Sequence, residues 1–167
     1  MYLKTVLLIG CLLAIPLVLV ISAFVQNDLP WQGPPGPLAR LVHYLNNNDI
    51  KTEQDSVYPE LRTHHYMQSE NVLFDEIKRI ARDLGWEIIE ADRKLLSLHA
   101  RVVSKLWKFT DDVYVSIDVD EESGNAVNIR SKSRIGKGDL GTNTKHIRDL
   151  YSALDQYILD KQKAKHQ

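Results

Sequence analysis

Cysteine is almost absent from the sequence, and neither sign of charge is in excess. The single cysteine, Cys11, lies inside the longest hydrophobic run, so no disulfide can form within the chain. The 21 lysines and arginines are balanced by 22 aspartates and glutamates, giving a net charge of −1. Proteins that bind nucleic acid normally carry a basic excess, so we expect no nucleic-acid partner. The length of 167 residues leaves room for one ordinary domain and short accessory segments.

Spacings typical of a metal or cofactor site are also lacking. The adjacent His64 and His65 diverge if they lie on a strand, and no His-x-x-x-His or Glu-x-x-His spacing is present. Gly136 and Gly141 are spaced as in a phosphate-binding P-loop, but Thr142 stands where the lysine is required. No Ser-His-Asp or Cys-His arrangement is recognisable from spacing. The sequence therefore predicts no metal and no cofactor.

One hydrophobic run without a charged residue extends from Val6 to Val25. At about 1.5 Å per residue, a helix of this length reaches roughly 30 Å, the thickness of the hydrocarbon core of a bilayer. We therefore predict one transmembrane helix, with residues 1–25 forming a cytoplasmic stub and the anchor. Two alternatives stay open: a signal peptide cleaved after Ile21-Ser22-Ala23, and a lipoprotein processed at Cys11.

The charges that flank this run predict its orientation. Lys4 precedes the run, whereas Asn27 and Asp28 follow it and the next basic residue is Arg40. The positive-inside rule then places the folded domain on the outer, periplasmic side. The expected localisation is that of a single-pass membrane protein that contacts the lipid bilayer through residues 6–25.

A linker is predicted over residues 26–60. Residues 26–37 contain four prolines, which favour a stiff, extended conformation. Leu38 to Leu45 has apolar residues at the spacing of a short amphipathic helix. The folded domain is expected over residues 61–160, and residues 161–167 form a charged tail.

The domain is predicted to be an α+β two-layer sandwich in the order β-α-β-β-β-β-α. An antiparallel sheet of about five strands would carry two helices on one face, because consecutive strands with short turns pair most simply as a meander. The predicted strands are Leu61–Met67, Trp86–Ala91, Leu95–Lys105, Asp112–Val119 and Ala126–Ser133, and the helices are Glu70–Leu84 and Thr144–Leu159. The side chains expected under the helices are Val113, Val115, Ile117, Val119, Leu96, Leu98, Ala100, Val102, Val127, Ile129 and Ile135. The open face would carry Ser97, His99, Arg101, Tyr114, Asp118, Asn128, Arg130 and Lys132.

A glycine-rich loop, Gly136 to Asn143, joins the last predicted strand to the last helix. Such a loop presents free backbone N–H groups and the positive end of the helix dipole, so it can hold an anion. The alternative is structural: the glycines permit the turn, Thr142 or Asn143 caps the helix, and Asp139 complements the dipole or pairs with Arg130 or Arg134. The predicted ligand-binding residues are Arg130, Arg134, Gly136, Gly138, Asp139, Gly141, Asn143, His99 and Arg101.

Two motifs precede and enclose this loop. The first is Phe109-Thr110-Asp111-Asp112, and the second is Arg130-Ser131-Lys132-Ser133-Arg134 followed by Gly136, Asp139, Gly141 and Asn143. From its first predicted helix to the end of the domain, the chain resembles the family known as domain of unknown function 1499. A cysteine-containing segment found upstream in many members is missing here, and Thr144-Lys145 replaces an arginine pair. The resemblance implies no established activity and no catalytic residues.

We expect a non-enzymatic accessory or binding module. In this hypothesis Arg130, Arg134 and the loop amides receive an anionic envelope component, such as a lipid head group, or a partner protein. One alternative is a hydrolase that acts on an envelope substrate through Asp112, Asp139 or His99. Another is a purely structural spacer domain.

Overall fold

The computed structural model describes Ala14 and residues 18–104, 108–120 and 122–165. Six strands are found there: β1 (Asp49–Lys51), β2 (His64–Tyr66), β3 (Glu87–Asp92), β4 (Ser97–Val103), β5 (Thr110–Asp118) and β6 (Asn125–Ser133). Residues 18–26 are helical. The later helices are α1 (Pro37–Asn46), α2 (Glu70–Asp83) and α3 (Thr142–Lys165), and Pro59–Leu61 form a 3₁₀ turn.

The strands form one antiparallel sheet in the order β1-β6-β5-β4-β3. The outer edge of β6 is shared, since β1 pairs with Arg130–Lys132 and β2 pairs with Asn125–Val127. The α+β class and the antiparallel meander of β4, β5 and β6 are therefore as predicted. The sheet has one strand more than expected, because Asp49–Lys51 lies in the predicted linker and has no strand periodicity of its own. This segment forms a strand because the free edge of β6 offers it hydrogen-bonding partners.

Helices α2 and α3 pack on one face of the sheet, and the core lies between the two layers. The alternation in β5 and β6 buries Val113, Val115, Ile117, Val127 and Ile129. The helices contribute Leu73, Phe74, Ile77, Ile80, Ile147, Leu150 and Leu154 to the same core. Val119 and Ile135 were also expected under the helices, and that expectation is wrong: both are exposed because they lie beyond the ends of β5 and β6.

The predicted amphipathic helix at Leu38–Leu45 is found as α1, but its buried side is not the apolar one. Arg40 and Tyr44 are buried, whereas Leu38, Val42 and Leu45 are exposed. The Arg40 guanidinium forms an ion pair with Glu60 of the 3₁₀ turn and donates a hydrogen bond of 2.6 Å to the Pro34 carbonyl. A buried charge needs such partners, so this contact attaches α1 to the domain.

The predicted transmembrane helix is not supported. In the described part of the chain, no helix is both long enough and apolar enough to cross a membrane. Residues 6–13 and 15–17 of the predicted span lie outside the described residues. At its described end, Leu19, Val20 and Ala23 line a cavity together with residues of the domain, whereas Val18, Ile21 and Val25 are exposed. Asn27 and Leu29 are buried just beyond this segment. Hydropathy did not reveal this, because an apolar helix face can be covered by protein as well as by lipid.

Candidate functional site

The alternation of β5 separates the two aspartates of the first motif. Asp111 is 2% exposed and faces α3, while Asp112 lies on the open face of the sheet. The second motif divides in the same way on β6. Ser131 and Ser133 are buried, whereas Arg130 and Lys132 are exposed. Asp111 and Asp112 therefore face opposite sides of the sheet, as the alternation of a strand predicts.

On the open face, Asp112 joins a histidine and an arginine. His99 Nε2 lies 2.9 Å from Asp112 Oδ1, and the His99 ring stacks on Tyr114 with 4.5 Å between ring centroids. Arg134 donates two hydrogen bonds to the Asp112 carboxylate, of 2.7 and 2.8 Å. These bonds, that of Arg134 first and that of His99 next, lower the pKa of Asp112 to about 2. Asp112 is therefore ionised at neutral pH.

The other predicted cations of this face also have carboxylate partners. Arg130 donates to Asp49 over 2.7 and 2.5 Å, and Arg101 donates to Glu87 over 3.0 and 2.5 Å. Arg130, Arg134 and Arg101 are thus bound by side chains of the same surface. A shallow groove of about 670 Å³ crosses this face beside His99, Tyr114 and Arg130.

In the glycine-rich loop, the Asp139 carboxylate occupies the position predicted for an anion. Its Oδ1 accepts a hydrogen bond of 2.8 Å from the Gly141 N–H, and its Oδ2 accepts one of 2.7 Å from the Asn143 N–H. Burial raises the pKa of Asp139, and these backbone hydrogen bonds oppose that rise. Asp139 therefore caps the start of α3 from within the chain. Thr142 and Asn143, which were predicted as caps, lie inside the helix, so that part of the structural alternative is wrong.

Asn143 is fully buried and connects three parts of the fold. Its Oδ1 accepts a 2.5 Å hydrogen bond from Ser131 Oγ, and its Nδ2 donates to Ser133 Oγ and to the Asn48 carbonyl over 3.0 and 3.1 Å. The two serines of the second motif thus hold the first turn of α3 against β6. Asn143 supports the loop and presents no free polar atom to a ligand.

The loop glycines permit close approach of the preceding segments. A Cβ at Gly138 would collide with the backbone carbonyl of Leu45, and one at Gly141 would collide with the side chain of Leu29. Gly141 also has φ of +84°, which favours glycine. Gly136 accepts a hydrogen bond from the Asn48 side chain. Gly138 and Gly141 therefore let α1 and the segment after residue 26 pack on the loop.

Asp111 pairs with a histidine that sequence reasoning did not select. Its Oδ2 lies 3.1 Å from His146 Nε2, and the His146 ring meets the edge of Trp86 at 5.9 Å between ring centroids. Asp111 Oδ1 is buried and has no hydrogen-bond partner in the part of the chain that the structure describes. His146 lies 35 residues from Asp111, so no local spacing indicates the pair. The sequence did offer one indication of a role for His146. It lies three residues after Asn143, and residues three apart lie on the same side of a helix.

A cavity of about 370 Å³ lies between the N-terminal helical residues and this loop. Its apolar walls are formed by Leu19, Val20, Ala23, Phe109, Ile135 and Leu140. Its polar lining is formed by Ser104, Asp111, Ser133, Asp139 and Thr142, with Gly136 and Gly138. We call it the loop cavity. No lysine, arginine or histidine is among its lining residues in the described part of the chain.

The predicted site residues therefore form two separate groups. His99, Arg101, Arg130 and Arg134 lie on the open face, whereas Gly136, Gly138, Asp139, Gly141 and Asn143 lie in and around the loop. Of the carboxylates named for a hydrolase, Asp112 contacts His99, but Asp139 caps α3 away from both. Among the described residues, no group of three or more His, Cys, Asp and Glu side chains is arranged to hold a metal ion.

A comparison with known families covers the same motif residues. None of the curated proteins is significantly similar to the chain. A family model described as "Protein of unknown function (DUF1499)" matches residues 43–154, which include both motifs, the loop and most of α3. The chain belongs to the DUF1499 family.

Proposed function

We propose that this protein is a non-enzymatic binding module that holds the apolar part of a small amphiphile in the loop cavity. The observation that carries the proposal is the cavity itself, whose apolar walls come from two chain segments more than eighty residues apart, Leu19 to Ala23 and Phe109 to Leu140. Its volume of about 370 Å³ lies within the range of roughly 300–1,000 Å³ typical of ligand pockets.

The lining has the composition expected of a ligand pocket. Such pockets are mostly apolar and contain a few polar groups that orient the ligand. Here the apolar residues form the walls, and Asp111, Ser133 and Asp139 provide the polar groups. Each methylene group that leaves water for such a cavity contributes about 0.8 kcal/mol, so an alkyl chain supplies much of the affinity.

The fluorescence of N-phenyl-1-naphthylamine, a neutral probe that brightens in apolar sites, tests this proposal on the full chain. We expect saturable brightening, and at least a tenfold weaker signal from Ala23→Phe, because the larger ring fills the cavity. Val25→Phe is the matched control, since Val25 lies on the same helical segment, is 74% exposed and does not line the cavity. Equal binding by the unmodified chain and Ala23→Phe would overturn the proposal.

A second candidate function is binding of an anionic ligand to the open face. The observation that favours it is that the side chains of Arg130, Lys132 and Arg134 are each about half exposed. Surface ion pairs contribute only about 0–1 kcal/mol, so a phosphate can displace Asp49 or Asp112 at small cost.

Inorganic phosphate should then perturb the NMR signals of these arginines, and Arg130→Gln with Arg134→Gln should abolish the effect while the domain stays folded. Unchanged spectra on addition of phosphate would exclude this candidate.

A further inference from the structure

We infer that the amphiphile bound in the loop cavity carries an ammonium group, which Asp111 recognises at the cavity floor. The inference rests on the proposed function, because it assigns the polar end of a ligand whose apolar part that function requires. The inferred ligand is positively charged, whereas the glycine-rich loop by itself predicts a negatively charged one.

The first observation is the unsatisfied oxygen of Asp111. Asp111 lines the loop cavity and is 2% exposed, and its Oδ1 has no hydrogen-bond partner among the described residues. Leaving a buried acceptor unpaired costs about 1–3 kcal/mol, and more when the group is charged. A ligand that donates a hydrogen bond to this oxygen removes that cost.

The second observation is the orientation of the same carboxylate. Asp111 Oδ2 is held by His146 Nε2 at 3.1 Å, and His146 is itself 8% exposed and packed against Trp86. The side chain is therefore positioned before any ligand arrives, and only Oδ1 is left to accept. A site of this kind selects for a donor, because a ligand that lacks one leaves the oxygen unpaired.

The third observation is the charge of the lining. Asp111 and Asp139 are its titratable residues among the described ones, and no basic side chain lines the cavity there. An ammonium group has three N–H donors and no acceptor, which matches a carboxylate oxygen in both charge and hydrogen bonding. A carboxylate or phosphate would meet like charge, and none of the described lining residues has a basic side chain that would compensate it.

The test compares three ligands that share one alkyl chain, decylammonium, decanol and decanoate, by isothermal titration calorimetry of the unmodified full chain below their micelle concentrations. We expect decylammonium to bind at least tenfold more tightly than decanol, and decanoate to bind most weakly. Equal or tighter binding of decanoate would overturn the ammonium assignment while leaving the proposed function intact. Absence of binding by all three would instead count against the proposed function.

A substitution then assigns the recognition to one residue. Asp111→Asn keeps the shape of the side chain and removes its charge, so the preference for decylammonium over decanol should fall to less than threefold. Asp112→Asn is the matched control, because it removes the neighbouring carboxylate from the opposite face of the sheet and should leave the preference unchanged. If Asp111→Asn does not fold, the ligand series on the unmodified chain still decides the proposal. A preference that survives in a folded Asp111→Asn protein would show that another group recognises the ammonium.

Discussion

At the scale of single residues, Asn143 is a buried side chain that joins three separate parts of the fold. It is fully buried, and its amide is bonded to two serines of β6 and to the carbonyl of Asn48. Replacing it with alanine leaves buried hydroxyl groups without partners. Each unsatisfied group of this kind costs about 1–3 kcal/mol.

We therefore expect Asn143→Ala to lower the free energy of unfolding by about 3 kcal/mol, measured by urea denaturation. Asn46→Ala is a suitable control, because Asn46 is exposed and its amide bonds only the Val42 carbonyl one turn earlier. That variant should change the free energy of unfolding by no more than about 0.5 kcal/mol. Similar losses in both variants would mean that the Asn143 network does not stabilise the fold.

Asp112 predicts a dependence of stability on pH. Its pKa is lowered from 3.8 to about 2 by Arg134 and His99, so the native state binds the proton less readily than the unfolded chain. The resulting stabilisation is fully present above about pH 4 and is lost as the pH falls through about 2. After allowance for solvent screening at the half-exposed Arg134, we expect a contribution on the order of 1 kcal/mol.

Urea denaturation at pH 6 and at pH 2.5 measures this contribution. Asp112→Asn should be less stable than the unmodified chain at pH 6, and the difference should shrink at pH 2.5. The control Asp55→Asn changes an exposed aspartate and should show a much smaller change between the two pH values. A difference that grows on acidification would contradict the sign of the pKa shift.

At the scale of secondary-structure elements, α1 depends on one buried ion pair. Arg40 is 1% exposed, and it bonds Glu60, the Pro34 carbonyl and the Tyr44 hydroxyl group. Removal of one partner from a buried pair typically costs about 3–5 kcal/mol, because the other charge is left uncompensated. The exposed apolar residues of α1 do not offset such a loss.

We expect Arg40→Met to detach α1 from the loop. The amides of Leu140 and Asp139, which donate to the Tyr44 and Asn47 carbonyls, should then exchange with deuterium much faster than in the unmodified chain. Adding Glu60→Leu should restore much of the protection, since an apolar replacement of both partners is often tolerated. Lys51→Met, which removes an exposed ion pair with Glu53, should leave exchange at Leu140 unchanged. Protected amides in Arg40→Met would mean that other contacts hold α1.

The pattern of α1 was only partly predictable from its residues. The 3.6-residue spacing indicates a helix, and the helix is found. The same spacing places the apolar residues on one side of the helix, whereas Arg40 and Tyr44 occupy the side that is buried on the domain. The acceptor of Arg40 is Glu60, twenty residues away, and local periodicity contains no information about such a partner.

At the scale of the whole molecule, the N-terminal helical segment is joined to the domain through Asn27. Its Nδ2 donates to the Leu140 carbonyl and to Thr142 Oγ1, over 2.9 and 3.2 Å. Leu29, just beyond, packs against Gly141. These contacts connect two regions more than one hundred residues apart in sequence, and they hold one wall of the loop cavity in place.

We expect Asn27→Ala to loosen this wall. Both the affinity for N-phenyl-1-naphthylamine and the exchange protection of the amides at residues 22–26 should fall, while the sheet amides of β5 keep their protection. Gln26→Ala is the control, because Gln26 is exposed and bonds only Ser22 within the same helix. If Asn27→Ala binds the probe as the unmodified chain does, the docking of this segment does not shape the cavity.

The sequence by itself determined the features that depend on local periodicity. The two-residue alternation of β5 and β6 requires Asp111 and Asp112 to face opposite ways, and the apolar stripes of α2 and α3 require one covered face of the sheet. The residues of the two motifs could also be identified from the sequence, because together they resemble the pattern of one family. Each of these conclusions follows from neighbours in the chain, whose geometry is set by backbone conformation alone.

Only the tertiary structure decided which distant groups meet. The capping of α3 by Asp139, the pairing of Asp111 with His146, and the packing of residues 18–26 on the domain each depend on segments brought together by folding. For residues 18–26, hydropathy did not indicate the contacts with the loop, because the hydrophobic effect is non-directional and does not specify what covers an apolar surface. The loop cavity follows from the same cause, since its two walls are unrelated in sequence and meet only in the fold.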